Sequence, residues 1–283
     1  ESRMSWKNLL VQVDGGRQSG DRIDTAIALA QRFEAHLTGL VVVDEPTLPG
    51  YVMARIPAAA WEARRQERRR KAERLLEQFR ATAERAGVNV DSRLDFAVDG
   101  DVARVLPIHA RHADLTVLGQ HDPEDGQAGG NLLIGDVALS CGRPILVIPF
   151  IGAGATLGER ILVAWDGGRE ATRAVNDALP LLKRAAKVTV VTVNPGMRPG
   201  RHGSVAGADI SLHLARHGVN VEVQSLEVRD IGIGDAILSR LSDISADLLV
   251  MGAYGRSRLR ETLLGGVTHH ILATMTVPVL MSH

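Results

Sequence analysis

The sequence predicts an α/β protein built from two tandem open, doubly wound five-stranded parallel-sheet domains. Strand-length apolar runs alternate with segments of helical period, and the same order of motifs occurs twice along the 283 residues. Aromatic residues make up only 3% of the chain, so the core must be aliphatic. Aliphatic strands are typical of parallel sheets, because helices cover both faces of such a sheet and both faces must be apolar.

An internal repeat sets the domain organisation, because a repeated order of motifs indicates duplicated structural units. Each copy has an apolar strand ending in Asp-Gly-Gly-Arg, then a Gly-Asp pair before a helical segment, an Ala-Asp pair before a strand, and a proline before a last short strand. These landmarks begin at residues 14, 100, 113 and 144 in the first copy and at residues 166, 234, 246 and 278 in the second. We therefore predict one domain over residues 4–150 and a second over residues 158–283, joined by a short Gly- and Ala-rich linker.

Each repeat contains five apolar runs of strand length that are separated by helical segments. The resulting βαβαβαβαβ order predicts parallel strands whose right-handed crossovers place helices on both faces of the sheet. The predicted strands span residues 8–13, 36–43, 89–96, 115–118 and 145–149 in the first repeat, and 160–165, 187–193, 219–227, 248–251 and 277–281 in the second. The predicted helices of the first repeat span residues 22–33, 58–86, 101–112 and 134–141.

The two repeats differ in length mainly between their second and third strands. The first repeat has a long helical segment there, from Ala58 to Ala86, and its polar side carries arginines interleaved with glutamates. Such a side can be a basic patch for an anionic partner or an ordinary solvated surface. The interleaved acidic residues favour the solvated surface.

Composition excludes several classes of protein. Lys and Arg number 33, as do Asp and Glu, so the formal net charge is zero and no global field attracts nucleic acid or an acidic membrane. No apolar run approaches the ~20 residues that a membrane span needs. Cys141 is the single cysteine, which excludes an internal disulfide and a multi-cysteine metal site. The first residues run almost directly into a strand, so we expect no signal peptide and a cytoplasmic protein.

A glycine-rich segment follows the fourth strand of the second repeat. Its spacing is G-x2-G-x9-G-G, formed by Gly252, Gly255, Gly265 and Gly266, and a helical segment comes next. Glycines allow the backbone to approach a ligand closely and to adopt positive φ angles. The free N–H groups at the start of the following helix favour a phosphate group. The segment is therefore predicted to be a phosphate-binding loop.

An aspartate, Asp166, ends the first strand of the same repeat. In an open parallel sheet, ligands bind beyond the carboxyl ends of the strands at the point where the winding direction reverses. If the first and fourth strands are neighbours there, Asp166 and the glycine loop open into one crevice. The carboxylate can accept hydrogen bonds from a ribose hydroxyl or an adenine amino group. Arg256 adds positive charge, and we include it among the predicted contacts.

With these motifs, the second repeat resembles a universal stress protein (UspA-type) domain. That family carries G-x2-G-x9-G-[Ser/Thr] after the fourth strand of a Rossmann-like, adenine nucleotide alpha hydrolase-like fold with strand order 3-2-1-4-5. The resemblance covers nearly the whole chain as two tandem domains, and it implies a stress-response protein that binds ATP or another adenine nucleotide, with Mg²⁺ as an accompanying ion. The ligand contacts that it implies are Asp166, Val193, Met251, Gly252, Gly255, Gly265, Gly266, Val267 and Thr268.

The sequence departs from the family pattern in two places. Gly266 stands where the family has Ser or Thr, so a hydroxyl contact to phosphate is lost, and Thr268 can replace it only if the loop shape allows. In the first repeat, Asp122 stands in place of Gly255, and Asn131 and Leu132 stand in place of the last glycine pair. We therefore interpret the first repeat as a degenerate site that serves as a packing partner.

The motifs indicate binding rather than catalysis, since no nucleophile elbow, P-loop lysine or spaced pair of carboxylates is found. Two alternatives stay open: a slow ATPase that uses the same crevice, and a structural interaction protein with no nucleotide bound. His213 and His217 have a spacing compatible with zinc, but no further ligand is evident and we interpret them as surface residues.

The resemblance also bears on assembly. Single domains of the family commonly pair through their fifth strands. A fused chain can satisfy that pairing internally, with the strand at 145–149 beside the strand at 277–281, which would also cover two sheet edges. A homodimer is a further alternative.

Overall fold

The computed structural model describes residues 5–46, 51, 55, 57–99, 101–121, 124, 130–197, 207–255 and 266–283. The strands are β1 (Asn8–Gln12), β2 (His36–Glu45), β3 (Val90–Val98), β4 (Leu115–Gly119), β5 (Ile145–Ile148), β6 (Arg160–Ala164), β7 (Lys187–Val193), β8 (Val221–Leu226), β9 (Leu248–Gly252) and β10 (Val279–Ser282). The α-helices are α1 (Ser19–Phe33), α2 (Ala58–Arg85), α3 (Val102–Ala110), α4 (Gly130–Ser140), α5 (Arg169–Leu182), α6 (Ala208–Arg216), α7 (Ile233–Asp243) and α8 (Val267–Thr274).

The chain divides into two compact units, one of residues 6–117 and one of residues 118–283. The first unit has the strand order β3-β2-β1-β4, and every strand pair in it is parallel. Leu9 of β1 pairs with Leu37 of β2 on one side and with Leu115 of β4 on the other. All three leucines are almost completely buried, as the aliphatic composition of the strands predicts for a sheet covered on both faces.

The long helix α2 packs on the sheet of the first unit through few apolar side chains. A Cβ placed on Gly39 of β2 would overlap the ring of Phe79, so the ring lies directly over the strand where a side chain is missing. Most of the remaining surface of α2 is exposed, and Arg69 and Glu73 form an ion pair on it with a separation of 2.9 Å. An exposed helix with such pairs agrees with the interpretation of its polar side as a solvated surface.

The second unit has the strand order β5-β10-β9-β6-β7-β8. Its second-repeat strands are all parallel, and they follow the predicted order, with β8, β7, β6, β9 and β10 as strands 3, 2, 1, 4 and 5. Strand β5 of the first repeat pairs with β10 in the antiparallel direction, with Leu146 opposite Leu280. The structure therefore contains the fifth-strand pairing, while the pairing of the two repeats as domains stays a prediction.

The boundary between the compact units falls inside the first repeat. Helix α4 and strand β5 belong to the first repeat by sequence, but they lie in the unit of residues 118–283. Gln120, which follows β4, links the end of β5 to the second repeat, since its side-chain amide donates to the Leu272 carbonyl at 2.8 Å and its oxygen accepts from the Phe150 amide at 3.0 Å. The domain limits 4–150 and 158–283 stay a prediction about the repeats.

The predicted α/β fold and its strand order are confirmed, with element ends shifted by one to a few residues. Among the described residues, no helix combines the length and the apolar character that a membrane crossing requires.

Candidate functional site

The candidate site lies where β6 and β9 end side by side. These strands are parallel neighbours, and Ala164 of β6 pairs with Met251 of β9. Because parallel strands end at the same edge of a sheet, Asp166 and Gly252 lie together at the carboxyl edge, just beyond this pair. The structure therefore brings together the aspartate and the first glycine of the predicted loop.

The turn after β6 is held by its own aspartate. The Asp166 Oδ1 atom accepts a hydrogen bond from the backbone N–H of Gly168 at 2.8 Å. Gly167 between them has a φ of +69°, a conformation that side-chain-bearing residues rarely adopt. Gly168 then caps the start of α5 in an extended conformation. The Asp-Gly-Gly sequence thus forms a turn that holds the Asp166 carboxylate just beyond the end of β6.

Gly252 lies against the first turn of α5. A Cβ on Gly252 would come within 2.6 Å of the Ala171 backbone nitrogen and 2.9 Å of the Glu170 Cβ, closer than real Cβ atoms approach such neighbours. The end of β9 can therefore meet the start of α5 only with a glycine at this position. This close approach is the structural reason for the first glycine of the motif.

The two ends of the glycine loop are joined by a hydrogen bond. The backbone N–H of Tyr254 donates to Thr268 Oγ1 at 3.2 Å, and Thr268 is only 4% exposed. Tyr254 has a φ of +47°, so the chain turns sharply before Gly255. Gly266 is extended and precedes the first residue of α8, Val267. The hydrogen bond from Tyr254 to Thr268 therefore joins the residues on either side of the loop. The contact of Thr268 with phosphate stays a prediction.

Helix α4 of the first repeat contacts Tyr254, at the start of the glycine loop. The hydroxyl of Tyr254 lies 2.5 Å from the position that a Cβ of Gly135 would occupy, so the tyrosine ring packs directly on helix α4. Arg256 and Gly265, two of the predicted contacts, lie outside the described residues.

Val193, the predicted contact at the end of β7, is followed by a residue that the sequence reasoning missed. The Asn194 side chain donates to the Val228 carbonyl at 2.9 Å and accepts from the Val228 N–H at 2.8 Å. Asn194 also has a φ of +48°. The asparagine thus joins the segments that follow β7 and β8, and the signal in the sequence was an asparagine directly after a buried strand.

A second missed residue is Glu170, in the first turn of α5. Its side chain is 8% exposed, and its Oε1 atom lies 2.6 Å from Nε of Arg169. Burial acts to raise the pKa of Glu170, but hydrogen bonds from Arg169 and from its own backbone N–H, with the charge of Arg169, outweigh it. The pKa therefore lies below its ordinary value, and Glu170 is an ionised carboxylate at neutral pH.

The turn after β1 in the first repeat has the same Asp-Gly-Gly-Arg sequence and different surroundings. Asp14 Oδ1 accepts from the Gly16 N–H at 3.0 Å, but Asp14 Oδ2 also lies 2.8 Å from Nη2 of Arg22. The Lys71 side chain of α2 approaches Gly15, with Cε 3.5 Å from the position of a Cβ there. Asp122 lies outside the described residues, so the degenerate loop of the first repeat stays a prediction.

No group of three or more potential metal ligands is found within the described part of the chain. His213 and His217 pack ring against ring, with centroids 4.7 Å apart and planes inclined by 62°. The Cys141 thiol is buried and contacts the Arg143 carbonyl oxygen at 3.1 Å, which suits an inert thiol.

Comparison with known proteins gives one consistent result. The model of the Universal stress protein family matches residues 5–148 and 158–283. A universal stress protein of Staphylococcus aureus strain USA300 is 30% identical over 118 residues, which are 41% of this chain and 67% of that protein. A universal stress protein of Staphylococcus epidermidis is 34% identical over 106 residues, which are 37% of this chain and 58% of that protein.

Solved structures show the same fold over nearly the whole chain. A universal stress protein from Archaeoglobus fulgidus DSM 4304 superimposes with a TM-score of 0.73 at 18% identity, covering 96% of this chain and 94% of that one. A universal stress protein from Pseudomonas aeruginosa UCBPP-PA14 has a TM-score of 0.54 at 15% identity, covering 97% and 92%.

Proposed function

The chain belongs to the universal stress protein family, and on that premise we propose that its second repeat binds ATP or a related adenine nucleotide in the crevice between β6 and β9. The protein then acts as a nucleotide-binding regulatory component of a stress response in the cytoplasm. The observation that carries the proposal is that β6 and β9 are parallel neighbours, which places Asp166 and the start of the glycine loop at the same carboxyl edge of the sheet.

Each part of the crevice suits one part of the ligand. The Asp166 carboxylate is an acceptor for ribose hydroxyls or the adenine amino group, and Val193 ends the neighbouring strand β7 as an apolar wall. Helix α8 begins immediately after Gly266, so its amino end can donate N–H groups to a phosphate even though the Ser or Thr of the family pattern is absent. The residues therefore fit a nucleotide whose phosphate lies over the loop, with or without Mg²⁺.

Gly252→Ala tests whether binding needs the close packing of β9 on α5, with Gly154→Ala as the matched control and thermal melts of both variants to separate a loss of affinity from a loss of fold. A Cβ on Gly154 would meet nothing within 4 Å, whereas a Cβ on Gly252 would collide with backbone atoms of α5. We expect isothermal titration to show that the wild type and Gly154→Ala bind an adenine nucleotide and that Gly252→Ala loses at least about tenfold in affinity, which is about 1.4 kcal/mol. Absence of heat and of a thermal shift at millimolar ATP, AMP and adenosine in the wild type would reject the proposal.

The same sample separates binding from turnover. After incubation with ATP, mass spectrometry of the denatured protein should recover the nucleotide intact if the crevice only binds. Repeated turnovers that disappear in Asp166→Asn would instead support the slow ATPase.

We further propose that the two repeats associate within one chain through their fifth strands. The antiparallel pairing of β5 with β10 supports this, since it places the last strand of each repeat side by side. A monomeric mass by light scattering agrees with internal pairing alone, and a dimeric mass adds a contact between chains.

A further inference from the structure

A cavity of about 320 Å³ lies at the amino edge of the strands of the second repeat, and we propose that it binds a small oxyanion, a molecule whose charged group is a carboxylate or a phosphate. Arg160 and Lys187, two of its lining residues, are the first residues of β6 and β7. Asp166 follows the other end of β6, so the cavity is a second site that does not depend on the proposed function.

Three strands and the end of one helix form the walls of this cavity. Arg160 pairs in register with Lys187, and Thr189, two residues further along β7, pairs with Glu222 of β8. Because side chains alternate along a strand, Lys187 and Thr189 lie on the same face of the sheet. The last turn of α7 supplies the remaining wall through Arg240. The volume is at the lower end of the range for ligand pockets, which suits a small molecule.

A continuous chain of polar contacts positions two cations in the wall. Lys187 Nζ lies 2.8 Å from Glu222 Oε2, and Gln224 Nε2 donates to Glu222 Oε1 at 3.0 Å. Arg240 Nε in turn donates to Gln224 Oε1 at 2.7 Å. Thr189, which is only 2% exposed, also donates to Glu222 Oε1 at 3.0 Å. Because these contacts already hold the two cations in place, little side-chain entropy is lost when a ligand binds.

The acidic side chains among the described lining residues are engaged by cations. The hydrogen bond from Lys187, with one from Thr189 and the charges of Lys187 and Arg240, holds the pKa of Glu222 below its ordinary value although desolvation acts to raise it. Glu222 is therefore ionised at neutral pH and balances the charge of Lys187. Asp243 Oδ2 lies 3.5 Å from Arg240 Nη1 and balances that guanidinium.

Arg160 supplies a charge that no side chain balances. Its side chain is exposed, and within the described part of the chain its guanidinium has no ion-pair or hydrogen-bond partner. Guanidinium and ammonium groups donate several hydrogen bonds and accept none, and Lys187 and Arg240 use only some of their donors in the network. A cavity with excess positive charge and unused donors is complementary to a ligand with negative charge and acceptor oxygens. Carboxylate and phosphate groups match the planar fork of a guanidinium.

The first repeat has a corresponding side-chain pair without the additional charge. Counted from the Asp-Gly-Gly-Arg motif, Asn8 stands at the position of Arg160. Asn8 pairs in register with His36, as Arg160 pairs with Lys187, and His36 Nε2 lies 3.2 Å from Asp91 Oδ2. Arg160→Asn is therefore a substitution that the first position of the corresponding strand already accommodates in this chain.

The test follows the backbone amide resonances of the isotope-labelled protein by NMR. Succinate, inorganic phosphate and the uncharged succinamide are each added at low salt to about 20 mM, because salt screens an exposed charge such as Arg160. We expect at least one of the two anions, and not succinamide, to shift the amides of Ile161 and Gln224 in a saturable manner. The anion that binds more tightly identifies the charged group that the cavity prefers.

Three variants separate the cavity from a general effect of net charge. Arg160→Asn should weaken binding of the anion about tenfold, since it removes hydrogen bonds from a charged group. Arg160→Lys keeps the charge and loses the planar fork, so its loss should be intermediate. Arg216→Asn is the matched control, because Arg216 is an exposed arginine in the last turn of α6 and does not line the cavity. Its affinity should stay within about twofold of the wild type.

Two kinds of result would reject the inference. One is the absence of saturable shifts with both anions in the wild type, or shifts confined to amides near Asp166 at the other end of β6. The other is an unchanged affinity in Arg160→Asn, or equal losses in Arg160→Asn and Arg216→Asn. Thermal melts check the fold of each variant, and Arg160→Lys carries the comparison if Arg160→Asn does not fold. Titrations with adenine nucleotides test the proposed function separately, so the two can fail independently.

Discussion

The turns after β1 and β6 have the same Asp-Gly-Gly-Arg sequence and the same internal hydrogen bond, yet they present different charges. Asp14 forms an ion pair with Arg22 of α1, a residue whose side chain is only 6% exposed. In the second repeat, Ala174 stands at the position of Arg22, so the ion pair of Asp14 with that helical position has no counterpart there. One helical position thus gives the two aspartates different surroundings.

Other charged side chains near the two turns also differ. Lys71 of the long helix α2 lies beside Gly15 in the first repeat, and α2 has no counterpart of its length among the described elements of the second. Glu170 in the second repeat replaces Gln18 in the first. The motif itself forms the turn, and the side chains that pack around it determine its charge.

The largest expected effect concerns ligand binding by the two aspartates. Asp166→Asn keeps an acceptor oxygen for the Gly168 N–H but removes the charged acceptor for hydrogen bonds from a nucleoside. Loss of hydrogen bonds to a charged group costs about 2 kcal/mol, or roughly 30-fold in affinity. Asp14→Asn should change the affinity by less than twofold. Titration of both variants with AMP checks this, and equal losses in the two would remove the proposed distinction between the repeats.

The next largest effect concerns the free energy of unfolding. Here the substitution of Asp14 costs more than the substitution of Asp166. Asp14→Asn leaves the nearly buried Arg22 without its anion, and we expect the free energy of unfolding to fall by about 1–2 kcal/mol, less than for a fully buried pair because Asp14 is 40% exposed on its side chain. Asp166→Asn keeps the acceptor oxygen for the Gly168 N–H and should cost less than Asp14→Asn. Urea denaturation of the unligated proteins measures both, and a larger loss in Asp166→Asn would contradict the comparison.

The smallest effect is the pH dependence of Glu170. Its pKa in the folded protein lies below the ordinary value of 4.5, so its stabilising contribution is complete above that value and is lost as the pH falls through the folded pKa. The charge of His283 also acts on this carboxylate, along with that of Arg169, and the Asp166 carboxylate lies on the other side of Gly168. We expect the stability difference between the wild type and Glu170→Gln to shrink on acidification from pH 7 to pH 3. A difference that grows over this range would mean that the pKa is raised.

Much of the site could be predicted from the sequence because its framework is local. The Asp-Gly-Gly turn, the glycines after β9 and the start of α8 are each defined by neighbouring residues, and the strand order brings Asp166 beside Gly252. Gly252 was predicted as a ligand contact, and the structure adds a packing reason, the first turn of α5.

The rest depends on residues that are distant in the sequence or on side-chain direction. Sequence reasoning did not find that Asn194 joins two loops, because its partner Val228 belongs to another segment. Glu170 was missed because an acidic residue in the first turn of a helix is ordinarily a simple capping group. Its burial and its approach to Gly255 depend on the packing of α5 against the end of β9.

The sequence by itself determined the duplicated α/β fold, the strand order and the positions of the two turns, because apolar periodicity and turn residues act through neighbours in the chain. Only the tertiary structure decided that Arg22 neutralises Asp14, that Glu170 fills the amino end of α5, and that Tyr254 packs on Gly135 of the first repeat. These contacts depend on how helices pack against the ends of strands. The partners of a charged or aromatic side chain there follow from burial and distance, and its place in a motif does not determine them.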